Sequence, residues 1–516
     1  MRTSIIKHLT TAVAVVAIAA GLVACKGEKT SGNVAATTIT VGVQRGPSSF
    51  DPLRSVWGGQ YQMYMLPVYE TLIKQKPDGT YAPGLATEWG YVDSTKLKFQ
   101  LKLRENVKFS DGATVVNAAA VKQNLDRLTT VTGPMTGELA STLKAVEAPD
   151  DKTVIIELSK PNPDLERIIS QVVGMIVNPN ALKDGDALAR TPAGAGPYVL
   201  DTAATIVNDT YVFTKNSNYY AADTYAYEKI TMKIYSDPNA MLTALQSGVA
   251  QLGYGSPDNV DAAQKSGLQV VTQPTNVFHI VLSDRNGELS PALKDQRVRQ
   301  ALNYAVDRDA ILKTVYRGQG SVTGQIFGPN TEAFDPALKA YAYDPAKARQ
   351  LLADAGYPNG FTFSIAVFFP QRDNDYVQAV ADYLSKVGVT MNIASLAGAP
   401  TSADVVRKHS AFVNGYGGQG AYTDARTLFL TSGTVFNAFG TVDPELSGLW
   451  DKASAEADPA ARKAGFQALG KAVTDKAWFL PTTVVNAVAY YRADALKDIK
   501  MTPGVTVPLF YELQKK

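Results

Sequence analysis

The sequence predicts an α/β protein. Three observations carry this: short β-rich runs bounded by turn residues, helices opened by Asp-Pro and stopped by glycine, and a β-rich run set between two glycine-stopped helices. Residues 39–43 (ITVGV) form the first strand, which ends at Gly46-Pro47. Leu97, Phe99, Leu101 and Leu103 alternate with Lys98, Gln100 and Lys102, the period of a half-exposed strand. Residues 154–158 form another, entered through Pro149-Asp150-Asp151, and the two are candidates to pair. Asp237-Pro238 gives a helix its N-cap and first residue. Met241, Leu242 and Leu245 line one face and Gly248 stops it. Val298, Ala301, Leu302 and Ala305 mark a second helix. Asp344-Pro345 repeats the opening device, with Ala348, Leu351, Leu352 and Ala355 at helical spacing and Gly356 as stop. Residues 361–369 are apolar and β-rich. Val377, Val380, Ala381 and Leu384 then give a further helix before Gly388.

Composition narrows the function. The chain has 516 residues, with 50 basic and 48 acidic. Arg2 and Lys7 precede an apolar run at residues 9–23, and Leu22-Val23-Ala24-Cys25 closes it. The run is about 15 residues, shorter than the roughly 20 of a membrane span, so it reads as a secretory signal. Cys25 is the only cysteine, and Leu-Val-Ala-Cys resembles a lipobox, cut before a cysteine that takes a lipid. Cleavage there removes Arg2 and Lys7 and leaves basic and acidic residues equal, which argues against nucleic acid as a partner. Residues 26–36 (KGEKTSGNVAA) suit a flexible tether to the membrane surface. The rest is long enough for two or three domains.

Catalytic signals are missing. Three histidines occur, and His8 falls in the signal. His279 lies in a strand-like run, and His409 sits beside Lys408 in a polar stretch. No zinc-ligand spacing, nucleophile elbow or phosphate loop appears. Residues 415–420 (GYGGQG) have the wrong glycine spacing for a dinucleotide loop, and no helix signal follows them. A binding protein is favoured over an enzyme, and no cofactor or metal is expected.

Five stretches then resemble one family. They are Tyr69-Glu70-Thr71-Leu72 with residues 83–89 (PGLATEW), residues 103–112 (LRENVKFSDG), Gly194-Ala195-Gly196-Pro197-Tyr198, residues 295–308 (DQRVRQALNYAVDR), and residues 343–349 (YDPAKAR) through 355–358 (AGYP). Together they resemble the extracytoplasmic solute-binding proteins of peptide/nickel-type ABC transporters, bacterial family 5. Physics reads most of these residues as scaffold: Asp111-Gly112 for a turn, Arg297, Arg299 and Asp307 for pairs around a helix, and Gly194, Gly196 and Pro197 for a crossing between lobes.

The resemblance implies a two-lobed, periplasmic-binding-protein-like α/β fold of type II, cluster C-like, with an extra inserted subdomain. Residues 1–24 would be the signal and 25–36 the tether. Residues 37–69, 189–275 and 489–516 would form lobe 1, with 70–188 inserted, and 276–488 would form lobe 2. A small organic solute, either a modified peptide or a sugar-like or other amphipathic compound, would be trapped between closing lobes. A lipid-anchored, extracytoplasmic monomer would pass it to ABC permease and ATPase subunits. A sensor or chaperone on the same scaffold is the alternative. In peptide-binding relatives, an aspartate in a glycine-rich loop holds the ligand's ammonium. The matching region is 414–424, where Asp424-Ala425 occupies an Asp-Pro position. Counting back gives Ala421, and matching on Tyr416 gives Gln419, so the acid is lost in either register. Ordinary peptides with a free N-terminus are therefore disfavoured. The candidate ligand residues are Phe50, Trp57, Gln60, Tyr61 and Tyr64 from the first lobe, and Asn414, Tyr416, Gln419, Tyr422 and Asp424 from the second. The loop's glycines would let backbone approach the solute. Arg372 is a candidate to meet a solute carboxylate, with a surface pairing to Asp373 or Asp375 expected in preference.

Overall fold

The computed structural model describes residues 37–56, 59–339, 341–502, 505–508 and 514–515. Cys25, Trp57, the signal and the tether lie outside them. One eleven-stranded mixed sheet organises the chain. Its amino-terminal half is built on Thr38–Val43, which runs parallel to Lys229–Ile234 on one side and Leu252–Gly255 on the other. Ile39, Val41 and Val43 of that strand are buried with Ile230, Met232 and Phe213. The other half has Thr362–Val367 parallel to Thr390–Ser395 and to Ala411–Gly417.

Two long antiparallel strands join the halves: Gln269–Leu282 and Phe479–Tyr491. Gln269 to Pro274 face Asn486 to Tyr491, and after an irregularity between Pro274 and Val277 the pairing resumes from Val277 with Val484. Proline cannot donate to a ladder, so the break falls where the sequence places Pro274. The second half buries apolar residues on both faces of its sheet. Ile280, Leu282, Ile365 and Val367 pack under helices Gln296–Tyr304 and Pro370–Ser385. Val281, Phe412 and Phe479 pack toward Leu446 and Phe466.

A separate four-stranded antiparallel sheet holds Ala86–Tyr91, Lys98–Leu103, Thr153–Leu158 and Leu143–Glu147 in that order. The alternating strand pairs with residues 153–158 as the sequence suggests, Phe99 opposite Ile156 and Leu101 opposite Val154. Helix Ala118–Asp126 covers it with Ala118, Val121 and Leu125, and Asn117 caps the helix by accepting from the Ala120 N–H at 2.9 Å. The chain leaves the large sheet at Pro67–Tyr69 and returns through Gly194 and Gly196. A Cβ at Gly196 would lie 2.4 Å from the Val68 carbonyl carbon. Gly194 and Gly196 therefore let the returning chain lie directly against the backbone of residues 67–69.

The helix expectations hold in detail. Asp237 and Asp344 cap Pro238–Gln246 and Pro345–Asp354. Arg297 pairs with Asp295, Arg299 donates to the carbonyls of Leu293, Lys294 and Lys476, and Asp307 caps Arg308–Thr314. The motif at 103–112 is two tight turns, with Asn106 and Gly112 both at positive φ. One expectation fails: after Gly420 a short helix, Ala421–Ala425, does open.

Candidate functional site

A cavity of about 450 Å³ lies beside the irregularity of the joining strands. Gly59, Tyr61 and Tyr254 wall it on the side of the amino-terminal half-sheet. Pro274, Thr275 and Asn276 line it at the break, and Arg372 with Gly415 to Gln419 wall the other side. The volume falls in the range of small-molecule pockets, about 300–1,000 Å³.

The first wall rests on a buried platform. Helix Tyr61–Met65 places Tyr61 at the cavity and turns Tyr64 inward. Tyr64 is fully buried, meets Tyr211 edge-on at 5.1 Å and donates its hydroxyl to the Arg45 carbonyl at 3.0 Å. The Gln60 amide oxygen accepts the Gln44 N–H at 2.5 Å and the Arg45 N–H at 3.2 Å. Phe50 is buried against Tyr211, and its carbonyl accepts the Tyr69 hydroxyl at 2.8 Å. Phe50, Gln60 and Tyr64 thus support the wall rather than face it, and only Tyr61 of this group lines the cavity.

The second wall is a strand and its following turn. A Cβ on Gly415 would meet the Phe278 ring at 2.7 Å, one on Gly417 the Asn276 amide at 2.6 Å, and one on Gly418 the Thr331 methyl at 2.5 Å. The protein fills those gaps itself, so the glycines serve packing first. Asn414 sits opposite His279 in the ladder. Asp424 is buried, and its Oδ1 accepts the Gln419 N–H at 2.8 Å and the Tyr416 hydroxyl at 3.2 Å. Burial holds this carboxyl well above the usual carboxylate range. The nearby Asp164 adds to the effect, and the Gln419 N–H opposes it. Asp424 therefore ties its own loop together. Tyr422 is fully buried, stacked on Trp450 at 4.7 Å, with the Trp450 indole donating to its carbonyl. It is a core wedge outside the cavity wall.

Arg372 makes the expected pair with Asp373, Nε to Oδ1 at 2.5 Å and Nη2 to Oδ2 at 2.8 Å, and also lines the cavity. Its guanidinium lies over the rings of Phe369 and Phe278. Sequence reasoning missed Tyr254, Asn276 and Asn330; a proline inside a strand, Pro274, was the one available signal. His279 is fully buried, with Nδ1 2.8 Å from the Val277 carbonyl. Among the described residues, no three His, Cys, Asp or Glu side chains gather as a metal site, and no helix is long and apolar enough to cross a membrane.

Comparison with known proteins places this architecture. The model of the bacterial extracellular solute-binding proteins, family 5, matches residues 80–438. The glutathione-binding protein GsiB of Pectobacterium atrosepticum is 30% identical over 401 residues, covering 76% of this chain and 73% of that protein. GsiB of Salmonella typhimurium is 31% identical over 329 residues, covering 62% of each. Among solved structures, NikA from Brucella suis in complex with Fe(III)-EDTA superposes with a TM-score of 0.79 at 25% identity, over 93% of this chain and all of that one. The binding protein AgaA of A. tumefaciens R10, in complex with agropinic acid, gives 0.77 at 23% identity, over 93% and 99%.

Proposed function

We infer the solute from one premise: the chain belongs to the bacterial extracellular solute-binding proteins, family 5. It is a two-lobed solute-binding protein of an ABC transporter, and its family binds substrates rather than converting them. The solute we propose is a small modified peptide of net negative charge, with glutathione as the reference case. One observation carries this reading. Among the described lining residues the cavity has an arginine, Arg372, and no carboxylate. Asp373 occupies Nε and Nη2 of that arginine, which leaves Nη1 for a solute carboxylate. A γ-glutamyl peptide carries its ammonium beside its own α-carboxylate, so it needs no protein acid. An ordinary α-linked peptide presents a lone ammonium, which this wall would bury without an anion. The GsiB relatives point the same way.

The lobes in this reading are residues 37–69, 189–275 and 489–516 on one side and 276–488 on the other, with 70–188 inserted and closure about the break at Pro274. The protein acts as a monomer outside the cytoplasm and is held to the membrane by lipid on Cys25. Calorimetry and thermal shift with reduced glutathione, γ-Glu-Cys and the α-linked isomer of Glu-Cys-Gly test the solute. A solute that binds only the folded form at 100 times Kd stabilises by about 2.7 kcal/mol. The γ-linked compounds are expected to give the larger shifts; larger shifts from the α-linked isomer overturn the reading. Cys25→Ser should release the protein from membranes, and retention refutes the anchor.

A further inference from the structure

The segment that carries the four-stranded sheet meets the cavity loop and the helix after it through several side chains, with Arg167 at their centre. Arg167, on helix Leu165–Ile169, is 12% exposed. Its guanidinium donates to Glu138 at 3.1 Å and to the Gln171 amide oxygen at 3.1 Å, both on its own side. It also donates to the Gln419 amide oxygen at 3.4 Å, in the loop that walls the cavity, and to the Thr423 hydroxyl at 3.2 Å, on the short helix that follows it. Asp164 beside it accepts the Thr423 backbone N–H at 2.9 Å. Gly420 makes room for that carboxylate, since a Cβ there would lie 2.5 Å from Asp164 Oδ2. Arg426 adds a bond to Ser141 at 2.5 Å.

The chemistry of this contact fixes more than position. Arginine has donors and no acceptor, so the Gln419 group facing it must be the carbonyl oxygen. The orientation of that amide is thereby forced. What Gln419 has left to offer is its –NH2. Because Gln419 also lines the cavity, the inserted sheet decides that this part of the wall donates hydrogen bonds.

We propose that Arg167 is a positioning residue for the solute. It fastens the inserted sheet to the cavity loop and holds Gln419 as a donor, so the solute presents an acceptor there, a carboxylate or carbonyl oxygen. The proposal rests on the cavity being the solute site. Gln419→Glu separates the two parts, because a carboxylate still accepts from Arg167 but cannot donate. It is expected to leave the small-angle scattering of the unliganded protein unchanged and to raise Kd for reduced glutathione at least about tenfold. Arg167→Lys keeps a charge beside Glu138 and Asp164 but loses the fork. Thr423→Val removes one latch bond without stranding a charge. Both are expected to speed glutathione release about tenfold while the association rate changes less than about twofold, with the melting temperature of the unliganded protein preserved.

Unchanged glutathione affinity in Gln419→Glu, or unchanged release in both latch variants, overturns the proposal. If glutathione does not bind the wild-type protein, the solute reading fails, and scattering then decides the latch alone. An increased radius of gyration in the unliganded Arg167→Lys and Thr423→Val proteins supports it, and identical radii overturn it.

Discussion

His279 should make the fold acid-sensitive, and replacing it with leucine should remove that sensitivity. The imidazole is fully buried in the strand that joins the two half-sheets. Its Nδ1–H donates to the Val277 carbonyl, and Nε2 has no partner among the described residues. Burial pushes its pKa down from 6.5 to about 4, against the smaller opposing pull of that carbonyl. The unfolded chain takes up the proton near 6.5, so its contribution to stability is full above that pH and is lost as pH falls toward 4. The whole shift is worth about 3.4 kcal/mol at 1.36 kcal/mol per unit, and about 2.6 kcal/mol has been lost by pH 4.5. Urea unfolding followed by tryptophan fluorescence at pH 7.5, 6.0, 5.0 and 4.5 reads it directly. His279→Leu should match or exceed the wild type at pH 7.5 and then lose about 2–3 kcal/mol less on the way to pH 4.5. If both proteins lose the same amount, this imidazole is not the group that charges.

Three further outcomes follow from the packing and the cavity loop. Gly196→Ala sets a Cβ 2.4 Å from the Val68 carbonyl carbon and 2.6 Å from the Pro67 oxygen, both backbone, and should cost about 1–3 kcal/mol in a denaturation series. Asp424→Asn should stabilise the protein at pH 8 and not near pH 3.5. A buried carboxyl with a raised pKa contributes fully below its unfolded value near 3.9 and loses that contribution as pH rises through its folded value. Equal effects at both pH values would show that the charge is irrelevant. Tyr422→Phe removes a buried hydroxyl without a partner among the described residues, so stability should hold or rise by about 1 kcal/mol. A loss of that size in thermal unfolding would reveal a partner for the hydroxyl.

The regular elements were legible because they repeat a local rule. Asp237-Pro238 and Asp344-Pro345 announce caps that the backbone then uses, and the alternation through Leu103 predicts both the strand and its buried face. The cavity was half legible. Tyr61, Tyr416 and Gln419 line it, while Phe50, Tyr64 and Tyr422 have gone into cores. Helix Tyr61–Met65 has five residues, too few for a period to separate the inward tyrosine from the outward one. The glycines of the cavity loop misled for a related reason: their neighbours Phe278, Asn276 and Thr331 come from distant segments. Arg372 was read correctly as a partner of Asp373, yet its place on the wall depends on a fold that no local pattern encodes.

The strand Phe479–Tyr491 completes a half-sheet that begins at residue 38. Leu252 and Gly253 find their ladder partners in Tyr491 and Tyr490, and Ile499, Met501 and Val507 enter the core laid down by Ile39 and Val41. During synthesis the first 250 or so residues therefore emerge with a raw edge and a gap in their interior. Closure of loops this long is slow. The nascent chain should remain threadable until its last few dozen residues appear, and a chain cut short before residue 479 should aggregate through that open edge rather than fold as a smaller protein.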